Sequence, residues 1–388
     1  MASAIENSPD SYERIFQFED SGFSEHENKI KDVYLNDNDE ENYWLNNTLK
    51  KKVENAVPNN SDTFNHKKPV YLLDDMTTKY FEKGPLDSFH TGLYYKGSIN
   101  TSIWENGGSQ VNFINKNIEN HFRGYFKDGK TAFRITTRYQ PRKDLNFMQA
   151  LLADFFISHQ INKNHRIVLG NSRTHTGEEG SKSDWALPFY TYSQLGRNIG
   201  NTRKFGARFI GEYDLIEYDL GAYSSDSYFR EFFPGGEFTG WVNLKPLGKT
   251  NGQYGALKIG GGYSGGQNGT SYNVLGAYAR YEYKKIRADF EFSDANGYNG
   301  NLGMSSNHAR GFYTSLYYYL NPKVDLMARY DTFQPNIDAS NGDIKEYTVG
   351  LNYYIKGQGL RLMLNYIFRQ NSFDKDSHRI LIGTQIML

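Results

Sequence analysis

From about Thr91 to Leu388 the chain repeats one pattern: apolar and polar residues alternate with a period of two, in short runs separated by turn signals. In Thr131 to Gln140, Phe133, Ile135, Thr137 and Tyr139 fall on one side, and Ala132, Arg134, Thr136 and Arg138 on the other. Successive strand side chains point to opposite faces, so each run predicts a strand with one greasy and one charged face. The same division separates Ile286, Ala288, Phe290 and Phe292 from Arg287, Asp289 and Glu291, and Leu360, Leu362, Leu364 and Tyr366 from Arg361, Met363 and Asn365. It holds again for Ile216, Tyr218 and Leu220 against Glu217 and Asp219, and for Phe205, Ala207 and Phe209 against Lys204, Gly206 and Arg208.

Tight turns at Asp128-Gly129, Asn162-Lys163-Asn164, Tyr213-Asp214, Asn321-Pro322 and Lys356 to Gly359 imply antiparallel neighbours. Longer polar connections fall at Asn171 to Thr202, Asn296 to Ala309 and Asn336 to Ile344. Strand starts are expected near residues 91, 118, 131, 149, 164, 203, 215, 236, 253, 271, 286, 309, 323, 346, 359 and 379. About sixteen strands of roughly ten residues match an outer-membrane barrel. A large soluble β-sandwich, such as a carbohydrate-binding or carbohydrate-cleaving domain, also alternates. Full charges opposite greasy faces favour the barrel, as do aromatics near strand ends, Tyr317-Tyr318-Tyr319 and Tyr353-Tyr354. The expected fold is therefore all-β: a transmembrane antiparallel β-barrel over residues 86–388, behind a polar, acidic N-terminal extension over residues 1–85.

Composition supports this and removes other classes. The 31 Tyr, 26 Phe and 38 Gly against 10 Pro suit strands and tight turns. With no cysteine there is no disulfide framework and no thiolate metal site. The 44 basic and 44 acidic residues cancel, against the basic excess of a nucleic-acid binder. No apolar run is long enough for a transmembrane helix, and Met1 to Asp10 lacks the basic and apolar regions of a signal peptide. In the first fifty residues twelve acids face four bases, which reads as a weakly ordered segment with one short helical piece at Tyr43 to Val57.

Enzymatic constellations are weak. Gly260-Gly261-Gly262-Tyr263-Ser264-Gly265 fits the letter of a dinucleotide fingerprint, and Ser264 that of a nucleophile elbow, but no helix-forming run follows, so a hairpin turn is the expected structure. Asp37 to Glu41 lacks the Gly and terminal Glu of a calcium loop. The nine histidines (26, 66, 90, 121, 159, 165, 175, 308 and 378) have no metal spacing and read as surface or interfacial side chains. No catalytic residue, metal or cofactor is expected.

The closing segments Gly350 to Tyr354, Leu360 to Tyr366 and Gly383-Thr384-Gln385-Ile386-Met387-Leu388 resemble the last strands of the phosphate-selective porin family, porins O and P. Arg166 to Gly170, the loop with Leu187-Pro188, and Gly196-Arg197-Asn198-Ile199-Gly200 resemble that family's strand, inward loop and following stretch. The resemblance implies a bacterial outer-membrane porin, a homotrimer surrounded by lipid, that passes small hydrophilic solutes passively.

On the charged strand faces lie Arg123, Lys127, Arg134, Arg138, Lys204, Arg208, Arg287, Arg329, Arg361 and Arg379. Arginines in a pore offer positive forks to oxyanions such as phosphate. The same faces carry Asp154, Glu212, Glu217, Asp219, Asp289, Glu291, Asp325 and Asp331, so a self-neutralising, general porin is the competing expectation. By position and resemblance the segment 171–202 is the constriction, with Trp185, Phe189 and Tyr190 packing it to the wall and Arg173, Lys182 and Arg197 meeting solute.

Overall fold

The computed structural model describes residues 72–105, 107–139, 151–226, 231, 233–250, 252–300, 303–339, 342–372 and 375–388. The acidic run at 37–41 and the helical piece expected at Tyr43 to Val57 lie outside them. A single helical turn, α1 (Asp74–Thr77), leads into a short strand, β1 (Thr78–Tyr80). The barrel strands follow: β2 (Leu86–Trp104), β3 (Ser109–Phe126), β4 (Thr131–Arg138), β5 (Leu152–Gln160), β6 (His165–Arg173), β7 (Arg203–Glu212), β8 (Ile216–Ser224) and β9 (Gly236–Leu244). The second half comprises β10 (Ala256–Asn268), β11 (Thr270–Tyr283), β12 (Ile286–Gly300), β13 (Gly303–Asn321), β14 (Val324–Gln334), β15 (Ile344–Lys356), β16 (Leu360–Asn371) and β17 (Ser377–Met387). Each of β2 to β17 pairs antiparallel with the next, and β17 returns to β2 from Ser377↔Trp104 to Met387↔Tyr94. The sheet is thus a closed cylinder of sixteen strands, with no free edge around its girth.

All sixteen expected starts have an observed counterpart. Three strands begin well before the expected point: β2 at Leu86, β3 at Ser109 and β13 at Gly303. The long connection expected at Asn296 to Ala309 is instead mostly ladder, with Asn296 paired to His308 and Gly300 to Gly303 across a bulge. Its Asn, Gly and Ser residues mask the alternation. The glycine run at Gly260 to Gly265 is also not a turn but the interior of β10; the hairpin turn comes at Gly269, where φ is 70°. Lumen-side bulk demands Gly262 and its cross-strand partner Gly276 on β11: a Cβ on either would overlap the Trp241 ring.

Burial follows the predicted faces. On β16, Arg361, Met363 and Asn365 are buried while Leu362 and Leu364 are exposed; on β12, Arg287, Asp289 and Glu291 are buried while Ile286 and Phe290 are exposed. A closed sheet with charge inside and Leu, Ile, Phe and Tyr outside is built for hydrocarbon around it. Outward rings of Phe290, Phe312, Tyr330, Tyr347, Phe368 and His378 run from strand to strand with centroids 6.1, 5.8, 5.0, 6.0 and 4.8 Å apart, a girdle suited to a lipid interface.

At the opposite end the seam between first and last strands is covered. Strand β17 stops at Met387, opposite Tyr94, although β2 begins eight residues earlier, at Leu86. Into that gap comes β1, pairing Thr78↔His90, Lys79↔Phe89 and Tyr80↔Ser88, while the Leu72 amide donates to the Met387 carbonyl at 2.8 Å.

Candidate functional site

Residues 174–202, between β6 and β7, fold into the barrel. Their apolar side chains plug into the inner wall. Trp185 packs with Tyr94 and Met387, Phe189 with Tyr317, Tyr319 and Met327, and Tyr190 with Met363, Ile367 and Leu381. Leu195 and Ile199, at either end of a short helix α2 (Gln194–Asn198) capped by the Ser193 hydroxyl, sit among Val274, Ala295, Tyr298, Ala309, Tyr313 and Phe333. The loop's two arms touch at Gly180 and Gly200, where a Cβ on either would stand within 2.8 Å of the other's Cα.

Polar anchors are equally numerous. Glu291 of β12 accepts the backbone amides of Glu178 and Glu179 at 2.8 and 2.9 Å and the Tyr313 hydroxyl at 2.9 Å. Asp184 accepts from Asn117 and Tyr94 at 2.8 and 3.0 Å and lies 3.4 Å from the Lys96 ammonium. Arg361 donates to the Trp185 and Leu187 carbonyls at 3.1 and 2.7 Å, and the Asn365 carboxamide oxygen accepts from the Tyr190 amide at 2.8 Å. The loop is therefore bound to the wall from β8 round to β3.

The predicted bases divide into two groups. Several are spent on structure. Lys204 pairs with Glu237 and Arg208 with Asp219; Arg287 lies 2.6 Å from Asp289. Arg329 reaches Asp331 at 2.8 Å and Glu179 at 3.4 Å with its guanidinium over the Phe189 ring, and Arg361 holds the loop. Lys127 is not on a lumen face: it is exposed in the turn after β3 and donates to the Glu82 carbonyl at 2.5 Å. Of the three loop bases, Lys182 is buried over the Tyr278 ring, Arg173 ends β6 and donates to Asn201, and Arg197 donates to Glu346 at 2.6 Å. Neutralised pairs of this kind run along the wall from Lys204 and Arg208 of β7 to β14.

The wall of β3 to β7 differs. It carries Arg123, Arg134, Arg138, Arg166, Arg173 and Arg203 against Glu119, Asp154 and Glu212, besides Lys204 and Arg208, whose partner acids lie on β9 and β8. Two like-charged pairs stand directly opposite one another across strands, Arg123↔Arg134 and Arg173↔Arg203, an arrangement that is destabilising without counter-charge. Asp154 supplies part of it, 2.6 Å from Arg203 and 3.8 Å from Arg134, and Glu119 pairs with Arg138. Arg138 keeps 18% of its side-chain surface open and Arg203 12%, whereas Arg329 keeps none.

Arg166 and Arg203 were missed by the sequence reading, although Arg166 alternates with Val168 on the lumen face of β6; Arg203 sits at the loop boundary, where no period is established. The anchoring acids Glu178, Glu179 and Asp184 carry no pattern at all. Nor are all the histidines peripheral: His90, His121 and His175 are buried.

His175 stacks on Trp241 with centroids 5.1 Å apart, 3.1 Å from Asp219 and 3.6 Å from Glu178. Burial alone would lower its pKa, but the hydrogen bond to Asp219 and the nearby Glu178 carboxylate push the imidazole up from 6.5 to about 9. A raised histidine stabilises the docked loop fully below about pH 6.5 and loses that contribution as pH rises through about 9. Single-channel current noise is therefore expected to grow from neutral to alkaline pH, and to be large and less pH-dependent in His175→Gln.

A closed barrel of this strand number, apolar outside and narrowed by an inward loop, has the architecture of an outer-membrane porin. Residues 250–387 match the family described as phosphate-selective porin O and P, and the resemblance of the closing strands to that family holds. Among solved structures, an anion-selective porin from Comamonas acidovorans superposes with a TM-score of 0.58 at 10% identity, over 77% of this chain and 99% of that one. OmpF of Salmonella typhi, in complex with daunomycin, gives 0.59 at 12% identity, over 77% and 98%. The trimer form of Vibrio cholerae OmpT, an outer membrane protein, gives 0.53 at 11%, over 77% and 99%. These likenesses establish the fold. No curated protein matches the chain.

Proposed function

We propose that this porin passes small hydrophilic anions in preference to cations, and that it does so as a homotrimer. The observation that carries the selectivity is the excess of basic over acidic side chains on β3 to β7, where Arg138 and Arg203 keep part of their surface open. Fixed guanidinium forks there offer charge-assisted hydrogen bonds to oxyanions, phosphate among them, and raise the local anion concentration. The trimer is supported by the trimeric form of the Vibrio cholerae neighbour. No reaction enters this reading.

The test is a planar-bilayer reversal potential in a KCl gradient, with the detergent-extracted protein run unheated on a gel beside it. The expected results are the anion-selective sign and a band near three times 44.6 kDa that collapses on boiling. A cation-selective sign would leave a general porin as the better account; a monomer would remove the trimer alone.

A further inference from the structure

We propose that Arg197, Arg369 and Arg379 form a second anion site at the loop-side mouth of the lumen, where the carboxylate of Glu346 is an internal occupant with which a doubly charged oxyanion competes. The proposal rests on the porin reading above but concerns the opposite wall. Four elements meet at this point. Glu346 comes from β15 and is 1% exposed. Its Oε2 receives Arg197 Nη2 from helix α2 at 2.6 Å; its Oε1 lies 3.4 Å from Arg379 Nη2 of β17 and 3.8 Å from Arg369 Nε of β16. The strand register enforces the meeting, since Glu346↔Arg369 are cross-strand partners and Arg369 stands opposite Ser377.

Supply exceeds demand here. One carboxylate offers about four lone-pair positions, whereas each guanidinium carries five N–H donors. The Nε atoms of Arg369 and Arg379 are buried without a hydrogen bond. All three arginine side chains remain a quarter to a third exposed while Glu346 is covered, so a solute ion entering the mouth meets the arginines before the carboxylate. Behind it, Arg329 is shared between Asp331 and Glu179. Counting every charged group packed at the site, Arg197, Arg329, Arg369 and Arg379 face Glu179, Asp331 and Glu346, which leaves one positive charge. A monovalent ion would neutralise that charge yet use few of the donors. A tetrahedral dianion presents several acceptors and draws the arginines partly off Glu346, including Arg197, which ties α2 to β15.

Inorganic sulfate, doubly charged at all working pH values, is the probe. Added on the loop side in KCl, it is expected to reduce the single-channel current with a measurable half-blocking concentration. Arg369→Gln and Arg379→Gln should each raise that concentration, the pair by about tenfold, as expected for losing two charge-assisted hydrogen bonds; Glu346→Gln should lower it by removing the internal competitor. Block unchanged in both arginine variants would overturn the proposal, as would Glu346→Gln blocking no more tightly than the parent. If Glu346→Gln fails to assemble, the rim variants Arg369→Gln and Arg369→Lys decide: the charge-retaining lysine, which lacks the fork, should block between parent and glutamine. Failure of the anion-preference reading shows separately, as a cation-selective reversal potential in KCl before any sulfate is added.

Discussion

Arg173→Glu combined with Arg203→Glu is expected to carry the reversal potential from the anion-selective to the cation-selective sign. The two residues are cross-strand partners where the loop leaves and rejoins the wall, so each changes the potential close to the path of ions. A unit charge 6 Å from a permeating ion is worth roughly 0.7 kcal/mol even at the dielectric constant of water. Removing two positive charges and adding two negative ones moves chloride by about 3 kcal/mol before screening, and potassium by as much the other way, whereas a tenfold permeability ratio needs only about 1.4 kcal/mol. Arg173→Gln with Arg203→Gln should move the potential part of the way. It should not unfold the barrel, because it relieves a like-charge pair and leaves Asp154 beside Arg134. A retained anion-selective sign in the glutamate double variant would remove this arginine row from the selectivity mechanism.

The second large effect concerns pore size. Glu291→Ala strips one wall carboxylate of three bonds, to the amides of Glu178 and Glu179 and the hydroxyl of Tyr313. Each buried donor left without a partner costs about 1–3 kcal/mol, enough to free the near arm of the loop from the wall. Single-channel conductance should rise and the current become noisy, while the reversal potential keeps its sign because the arginine row is intact. Glu291→Gln should fall between, since it retains one acceptor oxygen but points an N–H at a backbone N–H. Conductance and noise equal to the parent in Glu291→Ala would show that the remaining anchors, apolar and polar, hold the constriction without Glu291.

The barrel was legible in the sequence because its physics is local: one face in lipid and one in the lumen imposes a period of two, and turn residues punctuate it. Legibility fails where that contrast fades. Asn296 to Gly300 and Gly303 to His308 extend a hairpin past the apolar zone, so outward residues no longer need to be greasy. Gly262 of β10 is set by Trp241 on a neighbouring strand, and Gly260 by Asn243, which no reading of β10 alone reveals. The lumen was legible as charged with both signs, but which acid meets which base was not. Glu291 looks like any other inward acid until Glu178 and Glu179 are placed beside it, and Lys182 looks like a solute ligand until Tyr278 covers it. Arg203 lacked a flanking period, and its partnership with Arg173 depends on the register across β6 and β7.

The contacts that hold the loop join residues far apart in the chain: Glu178 to Glu291 across 113 positions, Leu187 to Arg361 across 174 and Trp185 to Gln385 across 200. Contacts so distant in sequence form late, since long stretches of chain must be ordered first. The Trp185 socket does not exist until β17 has closed on β2, because Tyr94 comes from the first strand and Met387 from the last. The order of assembly therefore runs from cylinder to constriction. Until the final strand seals the wall, the seat of the narrowing loop is incomplete, so the act that closes the barrel is also the one that finishes its constriction.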